Sequence, residues 1–112
     1  MSYGQFVAVN ATAIDSTVAR AIKAAPAAGL HYEIESISVA NPTVSEDPMI
    51  SIVDTDGAIL DVFQLGDAGP QGGFHVFVPP LVVATAKGIS GLASGSLGDT
   101  IVCVKGFVKR EP

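Results

Sequence analysis

Several sets of residues have types that could do chemistry. Asp54-Thr55-Asp56-Gly57 opens like a calcium loop, because alternate carboxylates offer hard oxygen ligands. A complete loop of that kind closes on a bidentate Glu at about its twelfth position, and counting from Asp54 reaches Leu65. The segment therefore reads as a hairpin turn, in which Asp-Gly tolerates positive φ. Glu33 and Glu35 share a strand face at i and i+2 and have the residue types of an acid–base pair. Glycosidases set two such carboxylates about 5–10 Å apart in an aromatic-lined cleft, whereas this chain has no Trp and only 6% aromatic residues. A solvated strand face is expected there. His31 and His75 are the two histidines; without a cysteine cluster they make a poor zinc set, and His75 is expected at solvent or at a subunit contact. Gly66, Gly69, Gly72 and Gly73 lack the Gly-Lys-Ser/Thr ending and following helix of a phosphate loop and read as a flexible loop. Ser90, Ser94 and Ser96 sit in no Gly-x-Ser-x-Gly elbow. No catalytic residue, metal site or cofactor is expected.

Cys103 is the single cysteine, so an intramolecular disulfide is excluded. It lies in the strand-like run Ile101–Val104 and is expected to be a buried, inert thiol, since a reactive one needs a base and a positive environment. The 112 residues suit one domain. Apolar residues make up 48% and charged residues 15%, against about 25% charged in an ordinary soluble domain. That deficit implies that part of the surface is covered by another chain. The net charge of −5 argues against a nucleic-acid partner, which would need clustered Lys and Arg. Lys105, Lys109 and Arg110 lie near the C-terminus and are expected to be solvated. Met1–Gln5 shows no basic n-region with an apolar core behind it, and no apolar run reaches the roughly 18–20 residues of a membrane span. Synthesis in the cytoplasm without membrane insertion is the expectation.

The elements that must position these groups are short strands. Gln5–Val9 comes first, within residues 1–15, read as an N-terminal arm or first strand ahead of a β-sandwich over residues 16–112. Residues 17–24 are ambiguous between helix and strand, with strand favoured. Leu30–Ala40 changes phase midway: Tyr32 and Ile34 share one face, Ile37 and Val39 the other. A β-bulge near Glu35-Ser36 would return all four to one side. Asn41-Pro42 is expected to end this strand. Pro48–Val53 alternates, with Ile50 and Ile52 inward, and Ala58–Leu65 returns beyond the Asp-Gly turn. Phe74–Val78 follows, stopped by Pro79-Pro80, then Val82–Thr85, Ile89–Ala93 and Thr100–Val108. Some eight strands with turns every eight to twelve residues predict an all-β, single-domain antiparallel β-sandwich or jelly roll.

Tyr32–Asn41 as a long strand, the hairpin over Ile50–Gly57, the glycine-rich loop, the Gly73-Phe74 strand, the proline corner and the final Ile101–Val108 strand containing Gly106 together resemble small phage virion proteins over roughly residues 16–110. They resemble in particular jelly-roll decoration, or cement, proteins of the outer capsid. The resemblance implies a non-enzymatic role bridging capsomers, with the major capsid protein as partner, a homotrimer favoured, and the virion surface as location. A neck, tail or head-fibre component fits the same strand order. Candidate assembly contacts are Phe6 and Val7 near the N-terminus and Phe74, His75 and Phe77 on the later strand, Phe74 being the one most expected in the core. A carbohydrate- or receptor-binding jelly roll is the alternative from another class, disfavoured because Tyr3 and Tyr32 are the only tyrosines and Trp is absent. A cupin-like enzyme would need histidines clustered on facing strands.

Overall fold

The computed structural model describes residues 2–10, 14, 17–44, 49–64, 69–94 and 100–110. Eight strands run in order: β1 (Ser2–Val9), β2 (Arg20–Lys23), β3 (Leu30–Val44), β4 (Met49–Asp54), β5 (Ile59–Gln64), β6 (Gly69–Val82), β7 (Ile89–Ala93) and β8 (Ile101–Arg110). They form two four-stranded sheets, β1-β8-β3-β6 and β2-β7-β4-β5. Every pairing is antiparallel, and the pairs are nested: β1 with β8, β2 with β7, β3 with β6, β4 with β5. The chain is thus one long ribbon folded at the β4–β5 turn, its rungs dealt alternately to two sheets. The β3–β8 and β4–β7 pairings close it. That arrangement is a jelly roll, as expected for an all-β chain of this kind.

The fold point is the Asp54–Gly57 turn. Asp54 Oδ1 accepts from the backbone N–H of Asp56 at 2.8 Å and of Ala58 at 3.0 Å, and Gly57 takes φ +87°. Side-chain oxygen and glycine together fix the reversal, which is why Asx-Gly pairs mark such turns. Asp54 is buried by this duty.

The bulge lies where the phase change predicts it. Ile34 faces Gly106 and Ser36 faces Lys105, so two steps on β3 oppose one on β8 and Glu35 is the extra residue. Tyr32, Ile34, Ile37 and Val39 consequently all point inward and are at most 3% exposed. A Cβ on Gly106 would lie 2.3 Å from the Glu33 carbonyl oxygen; the bulge can approach β8 this closely only over a glycine. Ile50 and Ile52 are fully buried from the other sheet. The interior is mainly Ile and Val, whose branched side chains suit a pleated surface buried on one face.

One expectation is narrowed and four are corrected. Residues 17–24 yield a strand only over Arg20–Lys23. β3 continues through Asn41-Pro42 to Val44, and this extension gives residues 69–73, expected as loop, a partner: Val39 faces Gly73 and Val44 faces Gly69. Pro79-Pro80 does not stop the next strand. β6 is an edge strand, and five steps from Val76 to Leu81 oppose two on β3, so the prolines sit in a wide bulge where a missing N–H costs no ladder bond. The Val78–Pro79 peptide is cis. Val82–Thr85, expected as a separate strand, is not one: Val83 N donates to Tyr32 O and Ala86 N to Leu30 O on β3, both at 2.9 Å, and a turn closes where Lys87 N donates to Ala84 O at 3.2 Å. Residues 65–68 and 95–99, read as turns, lie outside the described residues.

Candidate assembly surface

The residues with chemical potential disperse. His31 Nε2 lies 2.8 Å from Glu33 Oε2, and Lys109 Nζ lies 3.1 Å from Glu33 Oε1. Glu33 thus takes His31 and Lys109 as its partners, where a solvated strand face was expected. Glu33 is held below the usual carboxylate range, first by its hydrogen bond to His31, then by Lys109, with partial burial opposing both. Lys109 is therefore ion-paired within β8, not part of a solvated tail. His75 points to the inner side of its sheet at the β6 edge: its ring stacks on Phe63 at 3.9 Å, and Nδ1 lies 2.6 Å from Asp61 Oδ2. Asp61 and Phe63 both belong to β5, so this cluster ties the two sheets together along one seam. Lys23 does the same along the other, its Nζ 5.2 Å from the Phe6 ring centroid and 5.9 Å from that of Tyr32. The Tyr32 hydroxyl donates to the Ala24 carbonyl, and its burial pushes its pKa up. Lys87 Nζ sits 2.8 Å from Asp56 Oδ2, and the bond to Asp56 raises the ammonium pKa. Among the described residues no three His, Cys, Asp or Glu side chains gather as a metal site.

What the sheets do gather is apolar surface. Antiparallel partners share a face, so the pairing registers define rows across β1, β8, β3 and β6. On the inner face the rows are Phe6-Gly106-Ile34-Leu81 and Ala8-Val104-Ile37-His75. On the outer face they are Val9-Cys103-Ser38-Phe74 and Val7-Lys105-Ser36-Val76. The outer rows have Cys103, Ser38, Lys105 and Ser36 at the centre and valine or phenylalanine at both flanks. Val7 is 65% exposed, Val9 52%, Phe74 64%, Val76 57% and Val82 59%, while Val78 in the β6 bulge reaches 90%.

These rows sort the five residues singled out in the sequence. Val7 and Phe74 project from the outer face. Phe6 lies in the core, its ring 5.0 Å from Tyr32. His75 occupies the seam and Phe77 packs partly buried against the core. The core position expected for Phe74 is corrected: Gly73 takes the inward place instead, because the Phe63 ring fills that space, with Cδ2 2.7 Å from where a Cβ would stand. Cys103, expected buried, is partly exposed on an outer row. Val9, Val76, Val78 and Val82 escape the sequence reading. Their signal is there in the composition: residues 68–86 contain no Asp, Glu, Lys or Arg, and alternation places Phe74, Val76 and Val78 on one side.

Neither protein-family models nor curated proteins match the sequence. Solved structures do match the fold. A chain of the acid-stable capsid of Helicobacter pylori bacteriophage KHP30 aligns over 100% of this chain and 96% of its own length, with TM-score 0.64 and 12% identity. A chain of the virus-like particle of the extra small virus of the prawn Macrobrachium rosenbergii aligns over 94% of this chain and 76% of its own, with TM-score 0.50 and 9% identity. A carbohydrate-binding module seen with calcium and xylotriose reaches only 0.46 at 16% identity, too weak a likeness to bear on this chain. At these identities the two viral structures share the jelly-roll fold with this chain, and the fold is what they establish.

Proposed function

We propose that this chain is a non-enzymatic structural protein of a phage virion, acting as a capsid decoration protein that binds the major capsid protein at the outer capsid surface and stabilises the head. The observation that carries the reading is the set of exposed apolar side chains along the β1 and β6 flanks of the β1-β8-β3-β6 sheet, on a fold also found in a phage capsid over nearly the full length of both chains. Fully burying a Val, Leu, Ile or Phe side chain is worth about 1.5–3 kcal/mol. Val7, Val9, Phe74, Val76, Val78 and Val82 are each more than half exposed, so covering them offers on the order of 5–10 kcal/mol before the costs of association. A net charge of −5 keeps the uncovered particle soluble until it docks. Closed homo-oligomers, a trimer among them, distribute such contacts without generating fibres.

Mass spectrometry of purified virions of the phage encoding this chain tests the reading. The chain is expected at a copy number comparable to that of the capsid subunits. Its absence from intact particles would overturn the proposal. Its recovery only with tail fractions would move it to a neck or tail position.

A further inference from the structure

We infer that the β6 edge, with Phe74, Val76, Val78 and Val82 as its contact side chains, is the seat of a second copy of this chain, held by side-chain packing and not by strand addition. The inference rests on reading the chain as an assembly protein and names which part of its surface meets its own kind.

Charge selects the occupant. Each copy carries −5, so two copies repel except where their surfaces are locally neutral, because like charges juxtaposed in an interface disfavour association. Residues 68–86 hold no Asp, Glu, Lys or Arg, and they include all of the free-edge strand β6. Edge strands exposed to water ordinarily carry charge, Lys above all, to discourage association; here a strand with side chains 57–90% exposed carries none. A basic or neutral foreign partner would not require that neutrality, but a second acidic copy does.

The area fits as well. A stable partner buries about 800 Å² per side, a little over half of it apolar, which asks for roughly 450 Å² of apolar surface. Four side chains at 64, 57, 90 and 59% exposure, together with the neighbouring Pro79, offer an area of that order. The mode follows from the backbone. The five-against-two bulge between Val76 and Leu81, with Pro79 and Pro80 lacking N–H groups inside it, interrupts the row of donors that a β-ladder across two edges would need. It also thrusts Val78 outward as the most exposed large apolar residue of those described. A neighbour therefore meets side chains.

Light scattering on the intact chain, with Val78→Asp and Val76→Asp as variants and Val62→Asp on the opposite sheet as control, tests this. The wild type is expected at two or more chain masses at micromolar concentration. The β6 variants should melt like the wild type monomer yet dissociate at least about 100-fold more readily, while Val62→Asp stays assembled. Because both contacting surfaces must be neutral, β6 meets β6 across a two-fold axis. As a second measurement, Val78→Cys in a Cys103→Ser background should therefore give a disulfide-linked pair on a non-reducing gel, two cysteines bridging only when their Cα atoms come within about 7 Å. An assembled protein that fails to cross-link would overturn that pairing. A wild type that runs as a single 11.4 kDa chain, or β6 variants that remain assembled, would overturn the inference. If that monomer is nevertheless found in virions, and Val78→Asp abolishes its incorporation, the edge binds capsid protein and the virion reading survives without the homotypic contact.

Discussion

Replacing Gly106 by alanine should be among the most damaging single-methyl changes this chain can suffer. The added Cβ would stand 2.3 Å from the Glu33 carbonyl oxygen and 3.1 Å from both the Glu33 carbonyl carbon and Ile34 Cα. All three obstacles are backbone. They cannot rotate away, and contact distance for carbon atoms is about 3.5–4.0 Å, so β8 and β3 must part by about 1 Å. Neither strand is free to move: β3 is held by β6 on its other side and β8 by β1. Overpacking of this kind costs about 1–3 kcal/mol. Loss of one or two rungs at the bulge adds about 0.5–1.5 kcal/mol each. The expected total is about 3 kcal/mol, a large share of the roughly 5–15 kcal/mol that holds a domain together, and at about 4 °C or more per kcal/mol it lowers Tm by some 12 °C or more. Gly91→Ala is the matched control. Its Cβ would meet Ile14 Cδ1 at 3.2 Å, and Ile14 Cγ1 and Ile22 Cδ1 at 3.4 Å, side-chain atoms that need give way by only a few tenths of an ångström, and it gains about 0.4–1 kcal/mol from a stiffer unfolded chain. It should remain within about 1 kcal/mol of the wild type. Urea and thermal unfolding followed by circular dichroism measure both, at one fixed protein concentration because assembly would couple to stability. A Gly106→Ala protein within 1 kcal/mol of the wild type, or a Gly91→Ala protein equally damaged, would refute the claim that backbone approach at the bulge makes glycine obligatory.

Deleting Glu35 should be worse than mutating it. The deletion removes the bulge residue and forces either Tyr32 and Ile34 or Ile37 and Val39 out of the core, a gross loss of about 3–6 kcal/mol, while Glu35→Ala should be close to neutral; urea midpoints of the two variants separate register from side-chain loss. Glu33→Gln should flatten the acid limb of the stability profile. Because the folded state holds Glu33 below its ordinary value of 4.5, its contribution is present above that value and is lost as pH falls through the lowered one. Wild type should therefore lose up to about 1 kcal/mol below pH 4.5 that the variant never had, read from urea unfolding at a series of pH values; identical slopes for the two proteins would contradict the His31–Glu33–Lys109 arrangement.

The parts of the fold readable in the chain are those where local chemistry has one solution. An Asp-Gly turn needs its side-chain oxygen and its positive φ whatever surrounds it. The phase change between Ile34 and Ile37 has to be absorbed by an extra residue if all four apolar side chains are to share a core. β6 is different. In Phe74–Val78 every residue except His75 is apolar, so alternation defines two faces without saying which is wet. The choice depends on Phe63, distant in sequence, whose ring occupies the inward space at Gly73. The two prolines carry the same ambiguity, because a missing N–H ends a central strand but is harmless on an edge, and edge or centre is a property of the whole topology. The Glu33 cluster was hidden for a related reason: Lys109 comes from β8, and no local spacing shows which strand lies beside β3. His31 and Lys109, the actual partners, meet through the β3–β8 register.

Those ambiguities converge on one strand. A jelly roll leaves four edges, here β1, β6, β2 and β5, and each is a template for unwanted pairing unless something blocks it. Between β1 and β2 and between β6 and β5 the sheets are drawn together by Lys23 over Phe6 and by His75 against Asp61 and Phe63. These contacts close the sandwich but leave the outer hydrogen-bonding side of β6 open. Its protection is backbone alone: two prolines and a wide bulge, with no charge. Acidic side chains there would repel a second copy carrying −5, whereas a broken ladder rejects only strand-to-strand growth and leaves Phe74, Val76 and Val78 available for packing. An edge built this way excludes the open-ended pairing that leads to fibres and still permits a closed, side-chain-mediated contact. That combination is what a subunit requires if it must associate and then stop.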